Sequence, residues 1–297
     1  MGQMDDTSSR SEDRDAFPYV LPAVLYLLLV VLFPFIELVY YSLTDKRAGH
    51  DAHWVGLGNF AHLLSSGGAL PVLQNTARYA IGSTLPALCL GLSVALLIYS
   101  RQRRLSGLEL VIMIPWAIPP TITALVWQWM FYDVGGVFNW ILMKLAIIHA
   151  PVSWLGSARI AVLAVLFPNV WRLTPFFAIT LLAARSRMDH APYEAAALDG
   201  AGAWRTFLFV TLPGLRRTIL VSSMFSLLWS ATEFPLVYIL TRGGPGSSTH
   251  LVGTFSYELA LRGGFELGLG SANSLLLLPV AIGLAASIWK LGSWLDR

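Results

Sequence analysis

The amino-acid sequence predicts an all-α integral membrane protein with six transmembrane helices, both termini cytoplasmic, and a further short cytoplasmic helix between helices 4 and 5. Three observations point there. Of 297 residues, 56% are hydrophobic and 12% charged, where a soluble domain carries about 25% charged residues. Too little polar surface remains to cover a water-soluble globule of this length. Six stretches reach the about 20 mostly apolar residues that a spanning helix needs, at roughly 19–42, 76–99, 108–131, 159–184, 218–241 and 268–291. Threaded with both termini inside, these spans leave 12 Lys and Arg in cytoplasmic segments and 5 in outer loops, as the positive-inside rule requires.

The elements follow in order. Residues 1–18 are net acidic and read as a cytoplasmic tail, and the apolar run after them is too long for a signal peptide and lacks its cleavage site. The membrane domain covers 19–292, with 293–297 as a C-terminal tail. Tyr19, Tyr40, Tyr41, Tyr99, Trp129 and Trp289 stand near span ends, as interfacial belts do. The outer loops 43–75, 132–158 and 242–267 are long and rich in Gly, Ser, His and aromatics. Of the inner connections, 100–107 is short and carries Arg101, Arg103 and Arg104, whereas 185–217 is long.

Composition also excludes functions. A net charge of +3 with no dense Lys/Arg stretch speaks against a nucleic-acid partner. The lysines, Lys46, Lys144 and Lys290, do not follow glycines, so the Gly-Lys-Ser/Thr core of a phosphate-binding P-loop is absent and the chain hydrolyses no nucleotide by that route. A single cysteine, Cys89, excludes an internal disulfide. His50, His53 and His62 share the first outer loop, but no helix gathers them and no carboxylate completes a site. Neither a metal nor a cofactor is expected in this chain.

The long inner loop reads Tyr193-Glu194-Ala195-Ala196-Ala197-Leu198-Asp199-Gly200-Ala201-Gly202, continuing to Leu212-Pro213. Residues 192–199 suit a short helix: Pro192 fits its first turn, Glu194 lies near the positive end of its dipole, and the alanines combine helix propensity with a thin profile. Gly200 permits the positive φ that ends the helix. A second helix should then present Trp204, Phe207 and Leu208 on one face and close at Pro213. On physical grounds alone this is equally an amphipathic elbow resting on lipid headgroups.

The pattern Glu-Ala-Ala-x-x-x-Asp-Gly-Ala, with Phe207 and Leu212-Pro213 at their spacing, resembles the EAA motif of binding-protein-dependent ABC importer permeases. Further stretches resemble the maltose-type carbohydrate branch: Tyr41-Ser42-Leu43-Thr44-Asp45, Val55-Gly56-Leu57-Gly58-Asn59-Phe60, Asn75-Thr76, Pro115-Trp116-Ala117-Ile118-Pro119-Pro120, Trp171-Arg172-x-Thr174-Pro175-Phe176 and Leu240-Thr241-Arg242-Gly243-Gly244-Pro245. The likeness runs from about residue 20 to 292 and departs at Arg242, where the family more often has a third Gly, and in the acidic N-terminus.

The resemblance implies that the EAA segment is a coupling helix, docked in a groove of a separate ATPase, with Glu194, Ala195, Ala196, Asp199 and Gly200 at the motif positions. It implies a heterodimer with a second, related permease, two ATP-binding-cassette ATPase subunits that hold ATP and Mg²⁺, and an extracytoplasmic solute-binding protein that docks near the Gly243-Gly244-Pro245-Gly246 loop. The setting would be a prokaryotic cell membrane and the cargo a sugar. The permease itself would be non-catalytic.

Polar residues inside spans are costly and usually face the bundle interior. Asn169, Arg172, Glu233 and Asn273 are the candidates for substrate contact, with Trp229 and Tyr238, and Trp171 beside them, as stacking platforms. Ser271 lies near Asn273, and Glu37 reads as interfacial. Arg172 and Glu233 read equally as a buried ion pair holding spans four and five together. An ABC permease for a non-sugar solute differs only in cargo. An ion-coupled secondary transporter would rest on Glu233 alone.

Overall fold

The computed structural model describes residues 19–100 and 107–295. The tail 1–18, Arg101, Arg103, Arg104, Arg297 and the side chain of Trp289 lie outside it. Among the described residues the only extended pairing is a single bridge between Thr44 and Trp54, and the remainder is helix and turn.

The first helix, α1 (Tyr19–Ser42), is exposed throughout residues 19–36, and only its last turns pack on the chain. A short α2 (Gly58–Ser65) leads to α3 (Ala69–Ser100), which runs 32 residues despite Pro86. Most Ser and Thr hydroxyls of α3 fold back on its own carbonyls, as Ser83 Oγ does on Tyr79 O at 2.7 Å, and the buried Thr84 hydroxyl pairs with Ser226 Oγ, so these groups do not face hydrocarbon unpaired. Its partner is α7 (Ala158–Ser186). The two backbones meet at Gly91, where any Cβ would strike Phe177 and the backbone of Thr174 and Ala178. Small residues at buried helix crossings are the ordinary device of membrane bundles, and Ala87 and Ala95, one turn to either side, continue the stripe.

The third span is not one helix. The sequence suggested continuity over 108–131; instead α4 (Leu108–Ala117) and α5 (Pro120–Met130) are bent by 92°. The cause is Ile118-Pro119-Pro120. A residue before proline is pushed out of the helical region, and Ile118 accordingly has ψ 127°. Next come α6 (Val137–Lys144), α7, and α8 (Ala191–Leu198).

The helix after α8 also departs from expectation. Pro213 does not close it. One helix, α9, runs from Ala203 to Ala231. Its residues Phe207–Thr211 form a π-turn, and Pro213 follows within the first turn after it. The wide turn re-routes backbone bonding just where proline has no N–H to offer. The fifth span therefore begins earlier than residue 218 and ends at Ala231, with α10 (Pro235–Thr241) as a separate helix. Last come α11 (Val252–Leu261), α12 (Leu267–Leu275) and α13 (Leu278–Leu295), the last two interrupted just before Pro279.

One end of the bundle is cross-braced. Gly268 N–H donates to Lys46 O and Ala48 N–H to Phe265 O, Arg47 pairs with Glu266 at 2.7 Å, and the buried Asn59 amide donates to both Ser42 O and Thr44 O. Asn139 does the same for the 131–154 segment, donating to Val152 O and accepting from the Val152 N–H and Trp154 Nε1. The opposite end carries α8.

Candidate functional site

The chain crosses its own polar centre between α7 and the break after α9. Asn169 and Arg172 lie one turn apart on α7. Glu233 does not lie in a helical span, as expected, but in the Thr232–Phe234 break. Arg172 and Glu233 form an ion pair at 2.5 Å, with side chains 16% and 5% exposed. The second carboxylate oxygen accepts the Leu236 N–H at 3.2 Å, so Glu233 also caps the start of α10. Arg172 donates to Asn169 Oδ1 at 3.3 Å, and Asn169 Nδ2 donates to Ser230 Oγ at 3.1 Å. The result is a chain of four polar side chains joining α7 to the end of α9, with Arg172 Nε left without a partner. Removing one member of such a pair strands a buried charge, at a cost of about 3–5 kcal/mol.

Three of the six residues expected to contact substrate are thereby brought together: Asn169, Arg172 and Glu233. Ser230 completes the group and was missed, because a serine on an apolar helix carries no signal of its own. The others go elsewhere. Trp229 packs edge-on against Phe176 at 5.0 Å. Trp171 lies edge-on to Trp127 in a separate aromatic cluster. Tyr238 stacks on Phe234 at 5.0 Å and touches Tyr257. Asn273 is fully buried and braces α12 against α11, donating to Val252 O and Ser256 Oγ. The loop histidines disperse: the His53 N–H donates to Asp45 Oδ1, holding that carboxyl below its usual range, and the His50 ring lies on Ala48 O.

At the other end, α8 has the anatomy that its sequence requires. Pro192 is in the first turn with Glu194, Asp199 caps the C-terminus, and Gly200 adopts φ +70°. No residue of α8 is buried. Trp204 and Phe207 stack at 5.5 Å on one face, as expected. The attachment of α8 to the bundle was not foreseen. Arg185, 7% exposed, lies between the rings of Tyr99 and Tyr193, 4.0 Å from each centroid. The Tyr193 hydroxyl donates to Thr211 Oγ1 at 3.1 Å, inside the π-turn. Tyr99 is therefore a partner of Arg185 as well as a span-end aromatic. One side chain of α8 thus touches α7 and α9 at once, and the Arg185 guanidinium carries the link on to Tyr99 of α3.

The Leu240–Pro245 stretch turns sharply. Arg242 adopts φ +51°, a left-handed conformation that a glycine would take without strain. His250 packs against the bare face of Gly243 and on Phe255, and burial pushes its imidazole below the usual range, partly offset by Glu258.

Known proteins place this architecture. The trehalose/maltose transport system permease MalF of Thermococcus litoralis is 31% identical over 282 residues, covering 95% of this chain and 94% of that protein. The diacetylchitobiose uptake system permease DasB of Streptomyces coelicolor is 31% identical over 286 residues, covering 94% and 87%. A chain of a bacterial ABC transporter that imports the acidic polysaccharide alginate superposes with a TM-score of 0.77 at 22% identity, over 95% of this chain and 98% of that one. Residues 87–291 match the family described as binding-protein-dependent transport system inner membrane component. The chain belongs to that family, the multi-pass permeases of prokaryotic ABC transporters.

Proposed function

We propose that the chain is one of two related permease subunits of an importer that carries a carbohydrate into the cell by alternating access, driven by two ATPase subunits. The observation that supports it most directly is α8: an unburied helix of the right length, ended by a left-handed Gly200 and carrying Glu194, Ala195, Ala196 and Asp199. In this reading both termini and α8 are cytoplasmic. The alanines admit the ATPase surface closely, and Glu194 supplies a charged contact. ATP and Mg²⁺ belong to that partner, and this chain performs no covalent chemistry. An extracytoplasmic binding protein delivers cargo to the braced end.

For the cargo, sugar-transport names recur among the relatives: MalF, DasB and the sulfoquinovosyl glycerol permease SmoG of Agrobacterium fabrum. The Asn169–Arg172–Glu233–Ser230 group suits that chemistry, since hydroxyls can replace the bonds that these side chains make to each other. Trp229, at its edge, offers a ring to an apolar sugar face. Tyr238 and Asn273 belong to neighbouring packing and are the weaker members of the proposed site. The test is to purify the chain gently from its native membrane and identify what accompanies it. An ATPase and a second permease, with ATP-dependent sugar uptake on reconstitution, support the reading. Recovery alone, with solute movement that follows an ion gradient, would overturn it.

A further inference from the structure

At the braced end, α3 and α7 meet the turn after α10 around a cavity of about 210 Å³, whose wall includes Asn75, Arg78, Tyr79, Leu166, Ser248 and Thr249. That is smaller than the about 300–1,000 Å³ of sites for drug-sized ligands, and suits a group the size of one sugar ring. Its polar inventory is lopsided. Tyr79 is 3% exposed and its hydroxyl has no hydrogen-bond partner; the buried Ser248 hydroxyl has none either. Buried polar groups are nearly always paired, so two unpaired hydroxyls on one wall need a partner from outside the chain.

The neighbouring groups keep these two free. Thr249 Oγ1 is occupied with Gly244 O and Thr241 Oγ1, and Asn75 Nδ2 donates to Ser247 O at 3.2 Å. Arg78 adds a guanidinium that pairs with no carboxylate among the described residues. A planar fork of N–H donors beside two hydroxyl donors matches a carboxylate or phosphate, whose oxygens accept and cannot donate.

We propose that this cavity binds an oxyanion carried on a small hydroxylated molecule, with Arg78 pairing its charge and Tyr79 and Ser248 donating to its oxygens. The site does not depend on ATP coupling, and its test is one of binding. The protein, as recovered from its native membrane, is titrated calorimetrically with glucuronate and with glucose. Glucuronate should bind at least about tenfold more tightly, the effect of one charge-assisted contact. Arg78→Gln should abolish that preference. Tyr79→Phe should weaken glucuronate severalfold while leaving the thermal melt intact, since it deletes an unpaired hydroxyl. Native mass spectra separate the sources: a lipid occupant shows as phosphatidylglycerol retained by the parent, lost from Arg78→Gln and displaced by glucuronate. Equal binding of the two sugars with lipid retention indifferent to Arg78→Gln overturns the proposal, as does a glucuronate preference that survives Arg78→Gln. Loss of transport with this binding intact would strike only the importer reading.

Discussion

The two ends of the bundle are built by opposite rules. The braced end closes on itself: Asn59, Asn139 and the Arg47–Glu266 pair tie segments far apart in sequence, and the polar backbone there finds partners within the chain. The α8 end leaves an eight-residue helix with no buried residue, held through Tyr193, Arg185 and Tyr99. An isolated helix of that length is not stable in water, so its persistence depends on that small anchor and on whatever covers it. The lesson is that one end uses its contacts for shape, and the other leaves a helix uncovered, as the proposed docking of an ATPase requires.

The contrast can be broken most sharply at Gly200. A β-branched residue at φ +70° carries about 1–3 kcal/mol of backbone strain, and no atom stands within 4 Å of the added Cβ to confuse the reading. Gly200→Val should abolish ATPase co-purification and uptake, with Gly200→Asn tolerated; unchanged uptake in Gly200→Val would remove α8 from the coupling role. Next comes the anchor. Arg185→Gln loses two ring contacts, each worth about 0.5–2 kcal/mol. Amide exchange over 191–198 should accelerate by about tenfold, since 1.4 kcal/mol is a factor of ten, while exchange at the braced end stays put.

At that braced end Asn59→Ala should cost about 1–3 kcal/mol, because Ser42 O and Thr44 O lose their buried donor. Limited proteolysis should then cut between residues 43 and 57 and spare α8. Acid offers a milder test. The His250 imidazole is held below its ordinary 6.5 by burial. The unfolded state therefore takes up its proton first. Stability from the neutral ring is complete above 6.5 and is lost as pH falls from there through the folded-state value. His250→Phe should flatten that part of the melting profile. The smallest effect is expected at Arg242, where Gly should gain about 0.5–1 kcal/mol by relieving φ +51°; a lower melting temperature would show that the Arg242 side chain contributes more than its strain removes.

What could be read from the chain divides along the same line. Hydropathy located the spans because lipid contact is a property of each residue alone, and α8 was legible because Pro192, Glu194 and Gly200 act within a few positions of themselves. The 92° break at Ile118-Pro119-Pro120 was also written locally, yet apolar continuity outweighed it. Pro213 misled in the other direction: a π-turn let the helix pass it. The polar centre was half legible, since Arg172 and Glu233 announce themselves in apolar surroundings while Ser230 does not. The Tyr99–Arg185–Tyr193 sandwich was not legible. Its members come from three separate helices, and no local pattern joins them.

The continuity of α9 sets a mechanical scale. Its 29 residues, at about 1.5 Å each, make a rod about 43 Å long, with the α8 elbow at one tip and Ser230 at the other. Pivoting such a rod by about 5° about one tip displaces the other by about 4 Å, longer than any hydrogen bond. A tilt too small to disturb the packing of a single side chain at the elbow is therefore enough to carry Ser230 out of reach of Asn169. If α8 couples as proposed, the gearing ratio of the subunit is set by the distance between its two polar addresses, the length of α9.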